Sequence, residues 1–292
     1  MNILLTGANG FTGRHFTTIA AKAGHVITPL DANLLDVPAL EMEISKLKPE
    51  AVVHLAGISF VGHVYDRAFY DVNLFGTLNL LDVLIRSAFP LKRVLLASSA
   101  NVYGNCEASP INETQTPSPV NHYAMSKLAM EHIARTRFPQ LPVVVARPFN
   151  YTGPGQTSSF VIPKLVMHAI RKIPKIELGN LHVEREFNDV RMVCDAYLRL
   201  LELGTPGETY NVCSGTTYTL HQVVERLACL SGHRMDALVS PALVRPNEIH
   251  QLCGDPQKLQ CAIGTLTSWN LEDTLAWMLA EASLAESSRT AR

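Results

Sequence analysis

The sequence predicts a doubly wound α/β fold, a parallel sheet with helices on both faces, followed by a smaller C-terminal α/β domain. Three observations predict it. Short apolar runs alternate with helix-patterned segments through roughly the first half of the 292 residues, which is the pattern of parallel strands joined by right-handed crossovers. A glycine-rich turn joins the first strand to the first helix. Polar and small residues then fall directly after the strands, where such sheets bind ligands. The expected division is residues 1–151 and 152–292, with a helix near 189–203 packing back onto the first domain.

Each element has its own signal. Ile3-Leu4-Leu5 reads as a buried strand, and Arg14 to Ala23 as a helix closed by Gly24. Between them stand Gly7, Gly10 and Gly13, in a G-x-x-G-x-x-G spacing. Strand, glycine turn and helix together suit a dinucleotide: glycine lets the backbone approach a pyrophosphate, and the helix N-terminus offers free N–H groups. An ordinary glycine-rich turn is the competing reading. Val26 to Leu30 is a second strand ending at Asp31. A carboxylate there can accept hydrogen bonds from an adenosine ribose and would repel a 2′-phosphate; a solvated turn residue is the alternative. Arg14 pulls the other way, because it could meet a 2′-phosphate. Pro38 to Lys48 reads as a helix, and Ala51 to Leu55 as a strand ending in Ala56-Gly57. His54 within it reads as a core histidine. Phe69 to Arg86 has helical apolar spacing and carries Asn73, either a packed amide or a contact to the next strand. Val94 to Ala97 is a further strand.

Ser98-Ser99 follows that strand, and Tyr123-Ala-Met-Ser-Lys127 opens a helix running to about Arg137. Tyr and Lys four apart lie on one helix face. An ammonium beside a phenol favours the phenolate, so Tyr123 is expected to be tuned downward by Lys127. A tyrosine so placed can exchange a proton with a substrate oxygen, and the Ser99 hydroxyl can hold that oxygen. A Tyr and Lys on a solvated face is the plain alternative.

In combination, the glycine loop, the S-x-x-V-Y-G segment from Ser99 and the Tyr123/Lys127 pair resemble the extended short-chain dehydrogenase/reductases, the epimerase/dehydratase family that acts on nucleotide-diphosphate sugars. The resemblance covers nearly the whole chain. It implies a Rossmann-type cofactor domain, an acid/base at Tyr123, its pKa tuner and ribose anchor at Lys127, and an oxygen-positioning hydroxyl at Ser99. NAD(H) or NADP(H) is the implied cofactor, held by Gly7, Asn9, Gly10, Phe11, Thr12, Gly13, Arg14, Asp31, Asn33, Leu34, Leu55, Ala56, Gly57, Asn73, Ala97, Tyr123, Lys127 and Pro148. The preference between the two stays open, since Asn33 stands where the family carries an adenine-contacting aspartate.

The segment R-P-F-N-x-x-G-P-G-Q from Arg147 to Gln156 is similar to the GDP-sugar branch, especially its 4-keto-6-deoxy-mannose reductases. By that resemblance Ser99, Ala100, Asn150, Phe160, Val161, Arg185, Arg245 and Glu248 face a GDP-sugar substrate, with Arg185 and Arg245 on the diphosphate and Glu248 on the guanosine ribose. Each arginine could instead serve a surface ion pair. Glu186 replaces the family's usual aspartate after Arg185. One departure decides the expected reaction. The family's sugar 4,6-dehydratases carry a glutamate base two residues after the catalytic hydroxyl, and here that position is Asn101. An amide is no general base near neutral pH. The expected activity is therefore reduction of a 4-keto sugar to GDP-D-rhamnose, with a 6-deoxy-talose product, a 4-epimerase and a non-catalytic redox-sensing protein as rivals.

Composition excludes other classes. Twenty-five Lys and Arg balance 26 Asp and Glu, so neither nucleic acid nor an anionic membrane is an expected partner. Six scattered cysteines without a C-x-x-C pair suggest reduced thiols, a cytoplasmic setting and no metal site. No signal peptide and no apolar run of membrane-spanning length are expected. The family resemblance implies a homodimer, through helices such as Phe69–Arg86 and Tyr123–Arg137, whose apolar faces could equally be plain core, and the tail after Ser283 is expected to fray.

Overall fold

A computed structural model describes residues 1–106, 108–244 and 248–290. The chain builds β1 (Asn2–Thr6), α1 (Phe11–Lys22), β2 (Val26–Pro29), α2 (Val37–Leu47) and β3 (Ala51–His54). After these come α3 (Asp66–Phe69), a π-helical stretch (Tyr70–Gly76), α4 (Thr77–Ser87) and β4 (Arg93–Ala97). A 3-10 turn (Ala100–Tyr103), α5 (His122–Arg135) and β5 (Val143–Pro148) follow. The second half holds β6 (Tyr151–Thr152), α6 (Val161–Ile170), β7 (Lys175–Leu178), β8 (Glu184–Arg185), β9 (Asn188–Asp189) and α7 (Val190–Leu203). It ends with β10 (Thr209–Val212), β11 (Tyr218–Thr219), α8 (Leu220–Ser231), β12 (Asp236–Val239), β13 (Gln251–Leu252), α9 (Gln257–Ile263) and α10 (Leu271–Thr290).

Six strands form one parallel sheet in the order β10-β5-β4-β3-β1-β2. The order reverses between β1 and β3, and such a switch point opens a crevice at the carboxyl ends of the strands. β10 extends the sheet beyond β5, because the chain returns from the second half through α7. One face of the sheet packs on α1, α7 and α9, through Phe16, Val193, Tyr197, Leu200 and Ile263. The other packs on α2, α4 and α5, through Leu40, Leu81, Leu84 and Met130. Strands covered on both faces become continuous apolar runs, which is why Leu4 and Leu5, or Val52 and Val53, are all fully buried.

The predicted helix over 69–86 is interrupted. Seven residues, Tyr70–Gly76, wind as a π-helix. The altered winding is where the buried amide of Asn73 sits: Nδ2 donates to Ser126 Oγ at 3.0 Å and Ile58 O at 3.1 Å, and Oδ1 accepts from Ile58 N at 2.9 Å. The whole stretch 66–87 is long enough, and apolar enough on average, to cross a bilayer by length and composition, although it holds no uninterrupted apolar run of that length. Its apolar residues serve the core instead, where Phe69, Leu80, Leu81 and Leu84 are buried. His54 is a core residue, with its two ring nitrogens bonded to Thr6 Oγ1 at 2.7 Å and Thr77 Oγ1 at 2.8 Å.

The second half is built from small sheets, β11-β8-β13, β12-β7 and β6-β9, over a core of Leu165, Ile176, Leu227 and Leu275. Both tryptophans anchor its end. The Arg191 guanidinium lies 3.5 Å from the Trp269 ring centroid and 4.0 Å from that of Trp277, and pairs with Asp189 at 2.7 Å. Helix α10 runs to Thr290 rather than fraying at Ser283. Alanine and glutamate favour the helix there, and Arg171 ties Glu286 at 3.0 Å.

Two outcomes are expected. A methyl at Gly13 would stand 2.2 Å from Gly7 O and 2.7 Å from Ala8 Cα. Gly13→Ala should therefore cost about 3 kcal/mol, read from the denaturant midpoint. Burial holds the His54 ring neutral, with its pKa at about 3 against an ordinary 6.5. The unfolded chain takes up that proton and the folded chain does not, so stability should fall as pH drops from 6.5 towards 3. His54→Leu should flatten that slope in thermal unfolding.

Candidate active site

The crevice at the switch point is lined by backbone. Gly7 adopts φ +71°, which glycine tolerates best, and a Cβ there would sit 2.7 Å from Ala56 N. Thr6 Oγ1 accepts from Ala56 N at 3.0 Å, so the side chain that holds His54 also draws the end of β3 against the glycine loop. On the far side, a Cβ on Gly57 would meet Asn73 Oδ1 at 2.9 Å and Lys127 Nζ at 3.4 Å. At Gly7 the absent Cβ makes room for the backbone of Ala56, and at Gly57 for the side chains of Asn73 and Lys127. That cradle, opening on the N-terminus of α1, fits a dinucleotide pyrophosphate.

Ser99, Tyr123 and Lys127 come together at the end of β4. Asn121 caps α5, its Oδ1 accepting from Ala124 N at 2.9 Å, which starts the helix so that Tyr123 and Lys127 face the sheet. Lys127 Nζ donates to Ala97 O at 2.7 Å. Ser99 Oγ accepts from Asn101 N and Asn101 Nδ2, both at 3.2 Å. A hydroxyl whose lone pairs are so occupied has its own O–H left to donate, and Ser99 is hydrogen-bonded to the Tyr123 phenol.

The balance at Tyr123 differs from the sequence expectation. Burial pushes its pKa up, and the Ser99 hydrogen bond only partly opposes that. Lys127 is just 6% exposed; burial lowers its pKa to about 8 while the Glu131 carboxylate raises it. Low dielectric penalises both charged forms at once, so desolvation outweighs the attraction between ammonium and phenol that the spacing alone suggests.

A buried polar chain backs this trio, and sequence reasoning missed it. Glu131 accepts from Ser98 Oγ at 2.5 Å and from Arg147 Nε at 2.9 Å and Nη2 at 2.6 Å. Arg147 Nη1 donates to Tyr103 Oη at 2.9 Å, which donates to Asn211 Oδ1 at 2.7 Å. The available signals were Glu131 one turn beyond Lys127 and the arginine of the R-P-F-N segment. Glu186 was noted only as a replacement. It is fully buried and accepts from Asn188 Nδ2 at 2.9 Å and from Ser214 N and Gly254 N, both at 2.7 Å, tying three segments of the second half.

The other predicted residues divide by what they touch. Arg14 donates to Asn9 O at 2.8 Å and Gly155 O at 3.0 Å, so its guanidinium bridges the glycine loop to the second half. Phe11 stacks on Tyr151 and Thr12 Oγ1 bonds Tyr151 Oη at 2.8 Å, at the same junction. Gly10 is exposed, as are Asp31 and Asn33 at the end of β2, where Asn33 Oδ1 accepts from Leu35 N at 3.0 Å. Leu34 is buried under α4 and the Ala100 methyl lies among Tyr103 and Phe149. Both side chains fill space beneath their loops, so any ligand contact expected of these residues would fall to their backbone. Leu55, Ala97 and Pro148 lie at strand ends. In the second half, Asn150 O accepts from Asn188 N at 2.9 Å, and the Phe160 ring meets Phe60 at 5.7 Å. Val161 packs on the second core. Arg185 donates to the carbonyls of Glu184, Ile249 and His250, which pins the strand pairing around β8. Glu248 Oε2 is buried without a hydrogen-bond partner among the described residues. Arg245 lies outside the described residues.

Comparison with known proteins agrees with this layout. A sequence model for GDP-mannose 4,6 dehydratase matches residues 21–278. The chain belongs to the GDP-mannose 4,6-dehydratase family. Within that epimerase/dehydratase group it is 36% identical over 274 residues to a GDP-6-deoxy-D-talose 4-dehydrogenase of Aggregatibacter actinomycetemcomitans, covering 90% of this chain and 92% of the relative. It is also 36% identical over 288 residues to a GDP-6-deoxy-D-mannose reductase of Pseudomonas aeruginosa, covering 94% and 93%. The structure of RMD from Pseudomonas aeruginosa complexed with NADPH superposes with TM-score 0.90 at 33% identity, covering 97% of this chain and 99% of that one. The family's parallel, helix-flanked sheet is thus the one described above.

The ionisation of Lys127 is open to direct measurement. Nitrogen-15 NMR of labelled lysine should show one side chain titrating near pH 8, and the signal should vanish in Lys127→Arg.

Proposed function

We propose that this member of the GDP-mannose 4,6-dehydratase family reduces the 4-keto group of GDP-4-keto-6-deoxy-D-mannose with NAD(P)H, giving GDP-D-rhamnose. The observation that carries this reading is the environment of Ser99. Where elimination of water would call for a carboxylate base, the Asn101 amide donates into the Ser99 hydroxyl at 3.2 Å. The site therefore has a proton donor and an oxygen holder, and lacks a group at that position to take the C5 proton.

The nicotinamide supplies hydride when bound, and the cradle of Gly7, Gly13 and Gly57 fits the rest of that group. Ser99 holds the ketone oxygen. Tyr123, kept protonated by burial, donates its phenolic proton to that oxygen as negative charge develops there. The Lys127 ammonium then stabilises the phenolate left behind. On the substrate side, the Glu248 carboxylate oxygen, buried without a partner among the described residues, suits the hydroxyls of a ribose, which can donate to it. A GDP-6-deoxy-D-talose product is the second reading, favoured by the equally identical talose dehydrogenase; the two differ only in which face of the ketone meets the hydride. We further read the protein as a homodimer, because Phe75 and Met125 leave apolar surface exposed beside the helices expected to pair.

The cofactor preference follows from charge. Asp31 ends β2, and Glu43 accepts from Asp31 N at 2.9 Å and Ala32 N at 2.7 Å. Among the described residues, the carboxylates of Asp31 and Glu43 belong to that strand end, while Arg14 donates to Asn9 O and Gly155 O. NADH should give the higher kcat/KM, and Asp31→Asn should narrow the ratio to NADPH.

The deciding experiment supplies GDP-4-keto-6-deoxy-D-mannose, generated in place, with NADH or NADPH, and follows nicotinamide oxidation together with the sugar product by NMR. Oxidation with a GDP-rhamnose spectrum is expected; a GDP-6-deoxy-talose spectrum selects the second reading. Interconversion of GDP-hexoses without added reductant would instead establish an epimerase. Tyr123→Phe should lower turnover by about 10³-fold while leaving cofactor affinity unchanged by fluorescence titration.

A further inference from the structure

The end of β4 is held at three consecutive residues by three side chains from one face of α5. Lys127 donates to Ala97 O, Glu131 accepts from Ser98 Oγ, and Tyr123 meets the Ser99 hydroxyl. Positions 123, 127 and 131 recur every four residues, so they form one stripe along the helix. Two of the three are the proton-transfer pair of the proposed reaction. The third touches neither substrate nor cofactor in that scheme, yet it is 1% exposed and carries the shortest of these bonds, at 2.5 Å.

We propose that Glu131 is a positioning residue for proton transfer, fixing Ser99 through the hydroxyl of Ser98 and keeping Lys127 charged through its own carboxylate. This rests on the ketoreductase reading above.

The geometry gives each half of this role a path. Ser98 and Ser99 are consecutive residues at the end of β4, and α5 holds both hydroxyls, Ser98 through Glu131 and Ser99 through Tyr123. Locking Ser98 into Glu131 restrains the backbone that carries Ser99 and leaves the Ser99 hydroxyl unoccupied by Glu131. Glu131 is in turn fixed by the fork of Arg147, whose guanidinium lies over the Tyr103 ring at 4.8 Å and bonds its hydroxyl. Tyr103 ends the 3-10 turn that Ser99 caps. The loop carrying Ser99 is thus anchored before and after that residue by one ion pair.

The charge path runs along α5. Groups around Lys127 are the Tyr123 phenol and Glu131 on its own helix, the neutral His54 ring on β3, the uncharged Asn73 amide on the π-helical stretch and, beyond Glu131, Arg147 on β5. Arg135 approaches Glu131 from the next turn at 4.0 Å. Among these, Glu131 alone carries negative charge. Replacing its carboxylate by an amide removes the attraction and leaves the Arg147 positive charge nearby. Both changes make Lys127 easier to deprotonate, so the signs agree.

Two variants separate the paths. Ser98→Ala cuts the tie to Ser99 and keeps the Glu131–Arg147 pair. It should lower kcat about tenfold, with KM for cofactor and keto sugar within about twofold and the Lys127 NMR midpoint unmoved. Glu131→Gln should lower that midpoint by about one pH unit and move the alkaline limb of the kcat profile to lower pH by the same amount. Unchanged kcat in Ser98→Ala, together with an unmoved Lys127 midpoint in Glu131→Gln, would overturn the proposal and leave Glu131 a purely structural residue. Should Glu131→Gln fail to fold, Ser98→Ala decides alone, since it removes one hydroxyl and no charge. The NMR midpoint needs no substrate. If the wild type leaves NADH and NADPH unoxidised with the keto sugar, the ketoreductase reading fails, and the midpoint of Glu131→Gln still accepts or rejects the coupling to Lys127.

Discussion

The ion pair between Glu131 and Arg147 is the constraint on which the site's geometry rests. Both groups are essentially sealed from water. Desolvating two charges costs several kcal/mol each, and mutual attraction recovers this only when further hydrogen bonds complete both groups. Here they do: Glu131 accepts from Ser98, and Arg147 donates to Tyr103. Such a pair adds little net stability over an apolar substitute, but removing one partner leaves a buried charge at about 3–5 kcal/mol. Its effect is therefore to make one arrangement of α5, β4 and β5 far better than any shifted one. A helix slipped by a residue against the strand end would break the pair and misplace Tyr123 and Lys127 together.

A second set of contacts joins the two halves of the chain at the glycine loop. Thr12 bonds the Tyr151 hydroxyl, Arg14 reaches Gly155 O and His15 Nε2 bonds Pro154 O at 2.9 Å. All three come from the first turns of α1, whose N-terminus also faces the cradle. The residues following β5 are thus referenced to the same helix end that would hold a pyrophosphate. Arg14 illustrates a double placement: it struts the glycine loop to Gly155 while its exposed guanidinium keeps further N–H donors.

The parts legible in the sequence are those set by local pattern. The strands β1 to β5 and helices α1, α2 and α5 announce themselves by apolar periodicity and turn residues, to within a residue or two at most ends. Gly13 is legible because its steric exclusion acts against Gly7 and Ala8, near neighbours in the chain, whereas Gly7 is legible only through the spacing of the glycines, since its own exclusion is against the distant Ala56. What escaped the sequence depends on distant partners. Glu131 and Arg147 are sixteen residues apart on different elements, and neither carries a local signature that distinguishes a buried pair from a surface one. The π-helical stretch was hidden because its apolar spacing is still that of a helix; only the partners of Asn73, at Ile58 and Ser126, reveal the changed winding. Leu34 and Ala100 were assigned to ligand contact by motif position, but whether a side chain points into the crevice or beneath it depends on packing from α4 and from Phe149.

The reversal at Tyr123 bears most directly on chemistry. A Tyr and Lys four residues apart on an exposed helix would lower the phenol's pKa, which suits a base that removes a proton. Burying both groups penalises phenolate and ammonium alike, so the phenol stays protonated and the lysine comes within reach of neutral pH. A protonated phenol is the form that delivers a proton to a developing alkoxide. In the proposed reaction the phenolate it would leave behind shares a buried helix face with the Lys127 ammonium, where low dielectric strengthens their attraction. Stabilisation is therefore concentrated on the state after transfer, the condition under which binding energy lowers a barrier rather than deepening the ground state. Burial, which looks like a penalty on each residue taken singly, sets the direction in which the pair works best.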